Sequence, residues 1–179
     1  MAVKTVIRMG HPTLAKVAEP IEEFSSPELK ALVQDLFDTM AKLDGAGLAA
    51  PQINVSKRVV VFGIEKNPRY PDAETVPMTV LVNPVITPLT EIMESDWEGC
   101  LSIPGLRGKV PRYTKIRYTG FDAQGNVIDR TVEGFHARVV QHECDHLEGV
   151  LYPQRMTDMS QFGFNEEITE QLEKENNQE

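Results

Sequence analysis

The sequence predicts an α+β fold in which mostly antiparallel strands pack around a central helix, with an N-terminal and a C-terminal helix on either side in the chain. Three observations carry that prediction. An apolar period of 3.6 residues runs through Leu29, Leu32, Val33, Leu36, Phe37, Met40 and Leu43; strand-like runs crowd between residues 59 and 132; a second helical period covers residues 134–148. Because the strands are not interleaved with helices, a doubly wound parallel sheet is not expected.

The elements follow in order. Ser25 or Ser26 can cap the first helix, with Pro27 and Glu28 in its first turn, where a proline ring and an acidic side chain both suit the free N–H groups. That helix delivers Gly45-Ala46-Gly47-Leu48-Ala49-Ala50-Pro51-Gln52, a run of small residues that lets backbone or ligand approach closely. The run lacks the Lys-Ser/Thr ending of a phosphate loop and opens no obvious helix, so a packing turn would explain it equally well. Strand-like runs follow at 59–64, 79–83, 91–97, 115–121 and 127–132, and Asp122-Ala123-Gln124-Gly125-Asn126 reads as a hairpin turn. Residues 67–77 carry three prolines and read as a surface loop inside the domain. The next helix is expected over 134–148, where Phe135, Val139, His142 and His146 fall on one stripe and Val140, Cys144 and Leu147 on its neighbour; Gly149 then suits a left-handed cap, and Pro153 blocks continuation. One domain is expected over residues 1–165, and residues 166–179, with six Glu and one Lys, read as an acidic helix or tail.

Composition bounds the function. A chain of 179 residues, 41% hydrophobic and without a long apolar run, fits one soluble domain with a sizeable core and no transmembrane helix. Residues 1–10 have no signal-peptide apolar core, and two cysteines are too few for a disulfide framework, so a reducing cytoplasm is expected. A net charge of −9 argues against an extended nucleic-acid surface, which needs clustered Lys and Arg. Lys57-Arg58 and Arg107-Gly108-Lys109 are small exceptions that read as solvated pairs, Arg107 being the better placed to meet a peptide backbone. His11 and His136 are lone histidines and read as structural.

The string His142-Glu143-Cys144-Asp145-His146 carries the chemistry. Four residues advance a helix by about 400°, so His142 and His146 stack on one face, one turn apart, and both imidazoles can reach one ion. Glu143, offset by about 100°, comes beside that ion, where its carboxylate can handle the proton of a water. A catalytic site normally takes a third protein ligand and leaves a fourth position open. The zinc-protease extension HExxHxxGxxH fails here, because Tyr152 stands where its third His belongs. A Glu from a later helix, Glu166, Glu167 or Glu170, stays open. The stronger candidate is Cys100, in Trp97-Glu98-Gly99-Cys100-Leu101-Ser102, whose thiolate would complete a Cys, His, His set. The other thiol, Cys144, lies about 200° around the helix from His142, points away and reads as a small buried hydrophobe.

GAGLAAPQ at 45–52, EGCLS at 98–102 and QHECDHLEG at 141–149, in that order, resemble the motifs of the peptide deformylases. The similarity extends from Arg8-Met9-Gly10-His11-Pro12 through Arg107 and Val110-Pro111-Arg112 to Leu151-Tyr152, roughly residues 1–160. It implies a hydrolase that removes the N-formyl group from the N-terminal methionine of new polypeptides and releases formate. It further implies Cys100, His142 and His146 as metal ligands, Glu143 as general acid/base, Gln52 and the Leu101 N–H as donors to the developing oxyanion, and Ala46, Gly47 and Gly99 as main-chain partners of the peptide. Iron(II) is the implied metal, with zinc, nickel or cobalt as replacements. The implied partners are N-formyl-Met nascent peptides, with transient ribosome contact but no direct nucleic-acid or membrane binding.

Two positions depart from many relatives: Pro51 precedes Gln52 where Thr is common, and Arg138 stands one turn before His142 where an aliphatic residue lines a methionine pocket. Both bear on side-chain selectivity. Two other classes use the same HExxH string: a zinc peptidase with a Glu third ligand, and a metal-stabilised binding module whose fourth position is filled by protein.

Overall fold

In the computed structural model the described residues are 2–65, 72 and 74–177. The first helix, α1 (Pro27–Lys42), is capped by Ser26, whose hydroxyl accepts from the Leu29 N–H at 3.1 Å, with Pro27 and Glu28 in the first turn. There follow β1 (Gly47–Ala49), a 3-10 turn (Ala50–Ile53), β2 (Val59–Ile64), β3 (Val76–Pro88), β4 (Met93–Cys100), β5 (Ile103–Tyr113), β6 (Lys115–Phe121) and β7 (Val127–Glu133). The chain ends with α2 (Gly134–Leu147), β8 (Phe162–Phe164) and α3 (Asn165–Asn176). One sheet has the order β1-β2-β3-β6-β7, the other β4-β5-β8, and the paired strands within both are antiparallel.

The expected α+β class holds, and three strands come in addition. β5 carries Pro104, Gly105, Gly108 and Pro111, turn formers that hide its alternation; pairing with β4 from Met93↔Tyr113 to Cys100↔Ile103 overrides that local preference. β1 and β8 are each three residues long, too short for a period to register. The loop expected over 67–77 lies largely outside the described residues, and Val76 and Pro77 open β3 rather than ending a loop. Among the described residues no helix is long and apolar enough to cross a membrane.

β2 explains where the core sits. Its run Val-Val-Val-Phe-Gly-Ile is buried at every position, because successive side chains point to opposite faces and both faces are covered. Val59 and Val61 pack with Leu29, Leu36 and Met40 of α1, while Val60, Phe62 and Ile64 pack with Val139, Val140, Cys144 and Leu147 of α2. A third cluster joins Cys100, Ile103 and Val110 of the small sheet to Leu151 and Tyr152. α2 thus lies between the large sheet and β5. Its exit is fixed by Gly149 at φ 70, where a Cβ would come 2.7 Å from the Ala15 carbonyl.

Candidate active site

α2 sets His142 and His146 one turn apart, their ring centroids separated by 5.3 Å. Cys100 arrives from the other layer, as the last residue of β4 before a tight hairpin into β5, and its Sγ lies 3.5 Å from His146 Nε2. One donor atom from each of Cys100, His142 and His146 falls within 4.8 Å of the others, a group able to hold a metal ion. Cys100 and His146 are buried, and 11% of the His142 side chain is exposed.

The donor chemistry fits a borderline divalent ion. One thiolate and two imidazoles suit iron, zinc, nickel or cobalt and disfavour magnesium or calcium, which seek oxygen. Glu143 Oε2 is buried against the same site with no hydrogen-bond partner among the described residues, an arrangement that suits a group supplied from outside the chain. Glu166, Glu167 and Glu170, the alternative third ligands, are exposed on α3 and do not belong to the group.

Behind His142 stands a charge network. Its Nδ1 lies 2.7 Å from Glu98 Oε1, which leaves Nε2 free to face the thiol. Glu98 accepts two bonds from Arg112, from Nε and Nη2, both at 2.9 Å, and one from Arg138 Nη1 at 2.8 Å. Arg112 reaches on to Asp145 at 2.6 Å, and Asp145 accepts from Arg155. Burial works to raise the Glu98 carboxyl, but the hydrogen bonds from Arg112 and His142 and the Arg112 charge outweigh it, holding it well below the usual carboxylate range. Burial pushes Glu143 the other way, up to about 7, against the opposing charge of His142. The Cys144 thiol is driven far up by burial and then by the neighbouring Glu143, consistent with the inert hydrophobe expected from its position.

Ala46, Gly47, Gln52, Gly99, Cys100, Leu101, His142 and Glu143 border one cleft, and His146, 1% exposed, lies beneath it. Gln52 is held by the 3-10 turn, its Oε1 accepting from the Ala49 N–H at 2.9 Å and its Nε2 lying 3.1 Å from Ser102 Oγ and 3.5 Å from Cys100 Sγ. Pro51 sits buried in the first turn of that 3-10 segment, where its fixed φ is an advantage. The cleft lining does not include Arg107. Its guanidinium lies over the Trp97 ring at 5.5 Å and donates to Thr169 Oγ1 at 2.9 Å, tying β5 to α3.

Sequence reasoning did not find the parts played by Glu98, Arg112 and Ser102. Glu98 and its partners are 14, 40 and 44 positions apart, so no local spacing announces them. The one available signal was an acidic residue two before Cys100 on a strand that alternates inward. Arg138, noted as a departure, borders the cleft, but its head is bound to Glu98 and to the carbonyls of Val110 and Glu94. The lone histidines are structural, as expected: His11 Nδ1 accepts from the Thr13 N–H, and His136 Nε2 lies 3.0 Å from the Tyr118 hydroxyl.

The sequence profile described as Polypeptide deformylase matches residues 3–162. Peptide deformylase 1 of Nitrosomonas europaea is 65% identical over 166 residues, 93% of this chain and 94% of that protein. Peptide deformylase 2 of Ralstonia nicotianae is 59% identical over 170 residues, 95% and 96% of the two. Among solved structures, the class I type b peptide deformylase of Acinetobacter baumannii with Met-Ala-Ser bound superposes with a TM-score of 0.83 at 39% identity, covering 87% of this chain and 99% of that one. A profile match over most of the chain, close relatives matched nearly end to end, and a shared fold agree with the Cys, His, His cluster beside Glu143: this chain belongs to the polypeptide deformylase family and is a metal-binding hydrolase that removes the formyl group from N-formyl-methionine peptides.

Proposed function

We propose the following division of labour for the deformylation. Cys100, His142 and His146 hold one divalent metal ion, which when bound supplies Lewis acidity and brings the pKa of water from about 16 toward 7. Glu143 is the general base and then the general acid. Burial raises its carboxyl above ordinary carboxylates, the direction that suits taking a proton from water and returning it to the leaving nitrogen. Water oxygen adds to the formyl carbon, the C–N bond breaks, and the proton carried by Glu143 ends on the free α-amine as formate departs. The Gln52 side-chain N–H and the Leu101 backbone N–H hold the charge that develops on the formyl oxygen. Ala46, Gly47 and Gly99 leave room for the peptide main chain, and Phe135, Val139 and the aliphatic stem of Arg138 form an apolar border beside it. Arg107 meets the peptide farther from the reacting bond.

One observation carries this reading: three donor atoms from two separate layers of the fold lie within 4.8 Å of one another, at a cleft that also holds Glu143 and Gln52. Iron(II) is the metal proposed, on family resemblance, with zinc, nickel or cobalt able to replace it on the same donors. The proposed setting is the cytoplasm, on N-formyl-Met chains during transient contact with the ribosome. Formate release from a formyl-Met peptide, with and without chelator, tests the assignment, alongside metal analysis of anaerobically purified protein. Cys100→Ala is expected to lose both metal and turnover, and Glu143→Gln to keep metal and lose turnover. A Cys100→Ala protein with full metal content and turnover overturns the ligand set.

A further inference from the structure

Arg138 is an expensive residue for its place. It is 9% exposed, next to an apolar border, where an aliphatic side chain would carry no desolvation cost. Its bonds show what the charge secures. Nη1 donates to Glu98 Oε2 at 2.8 Å and to the Val110 carbonyl at 2.7 Å, and Nη2 donates to the Glu94 carbonyl at 2.7 Å. One helical side chain therefore fastens both β4 and β5.

On α2, Arg138, His142 and His146 follow one another at four-residue steps, about 6 Å of helix rise each. On β4, the inward positions Glu98 and Cys100 are two residues apart, with a shift of register against β5 between them. The rungs run Arg138 to Glu98, His142 to Glu98, and His146 to Cys100, at 2.8, 2.7 and 3.5 Å. Each Glu98 oxygen accepts twice: Oε1 from Arg112 and His142, Oε2 from Arg112 and Arg138. Arg112 grips the carboxylate from β5, which belongs to the same sheet as Glu98. Arg138 grips it from α2, which carries the imidazoles.

We infer that Arg138 is a positioning residue for the metal site: it sets the register and separation of the thiol-bearing strand β4 against the imidazole-bearing helix α2, and so holds Cys100 in range of His142 and His146. This rests on the proposed Cys, His, His ligand set. A buried ion pair is weak support for overall stability, since replacing such a pair with well-packed apolar side chains is often neutral. Fixing the geometry of a site is the better account of why the charge is there.

The test uses cobalt(II) as the probe ion, with affinity read by chelator competition and geometry by the thiolate-to-cobalt charge-transfer absorption. Arg138→Met keeps the stem length and leaves Glu98 paired to Arg112. It is expected to weaken cobalt binding about tenfold or more and to shift or diminish the charge-transfer band. Arg138→Lys, which keeps one donor head, is expected to fall between Met and the wild type. Leu36→Ala, on the buried face of α1 and outside the ligand group, serves as a stability control and is expected to lower Tm while leaving affinity and spectrum unmoved. Wild-type cobalt affinity and spectrum in Arg138→Met overturn the inference, as does an equal loss in Leu36→Ala. A Cys100→Ala protein that binds cobalt like the wild type instead overturns the ligand set on which the inference stands.

Discussion

Gly47 lies directly against Glu143: a Cβ built at position 47 would come 2.6 Å from the Glu143 carboxyl carbon and 2.7 Å from its Cγ. The short strand β1 therefore presses its bare backbone onto the side chain proposed to carry the proton. Gly47→Ala is expected to push the Glu143 carboxylate aside while leaving the metal ligands in place. The outcome should be a fall in kcat on the order of 100-fold with metal content unchanged, since a misplacement of about 1 Å at a reacting group costs roughly that much. Steady-state kinetics with metal analysis on the same preparation checks it.

Gln52 couples the 3-10 turn to the Cys100 hairpin through Ala49, Ser102 and the thiol. Gln52→Ala is expected to lower kcat by about 100-fold or more, roughly 3 kcal/mol of barrier, with a much smaller change in KM, because an oxyanion donor acts chiefly in the transition state. Full turnover in that variant would remove Gln52 from the proposed mechanism.

Arg112 holds the buried carboxylate of Glu98 at 2.9 Å and the partly buried one of Asp145 at 2.6 Å, with its own side chain 5% exposed. Arg112→Met is expected to destabilise the fold by about 3–5 kcal/mol, the usual cost of leaving buried charge short of its partner. Denaturant titration measures this directly. The loss should exceed that of Arg117→Met, whose partner Asp129 is an exposed surface pair.

His136 supplies a pH dependence away from the metal ligands. Burial first, and the nearby Arg130 charge second, lower its pKa below the usual value near 6.5. The unfolded chain then binds the proton more readily than the folded one. Stability from this group is present above about pH 6.5 and is lost as pH falls below it. His136→Gln is expected to flatten that part of the Tm profile, so that Tm declines less between about pH 7 and 5.5 than in the wild type. Parallel slopes for the two proteins would show that His136 does not contribute.

Much of this architecture was legible because it is written in local periods. The cap at Ser26, the stripe along α1, the limits of β2 and β6, the turn at 122–126 and the left-handed exit at Gly149 all depend on residues within a few positions of one another. β5 was not legible: its prolines and glycines speak for turns, and only β4 and β8 on either side make it a strand. The HExxH string announced His142, Glu143 and His146 from helical spacing alone. Cys100 needed a chemical argument as well, and Gln52 needed family resemblance, since its partners Cys100 and Ser102 stand 48 and 50 residues away. The grip of Arg112 and Arg138 on Glu98 is a property of layers meeting in space and leaves no trace in spacing.

Because β2 is sealed by α1 on one face and α2 on the other, its amides meet solvent only when the whole molecule opens, and they should be among the last to exchange their hydrogens. The histidine-bearing helix is anchored to that slow slab. Cys100 instead comes from the end of β4, an edge strand of a three-stranded sheet whose first half is exposed. Exchange is therefore expected to be fastest in the exposed first half of β4, with Glu98, clamped by Arg112 and Arg138, standing between that end and the sulfur.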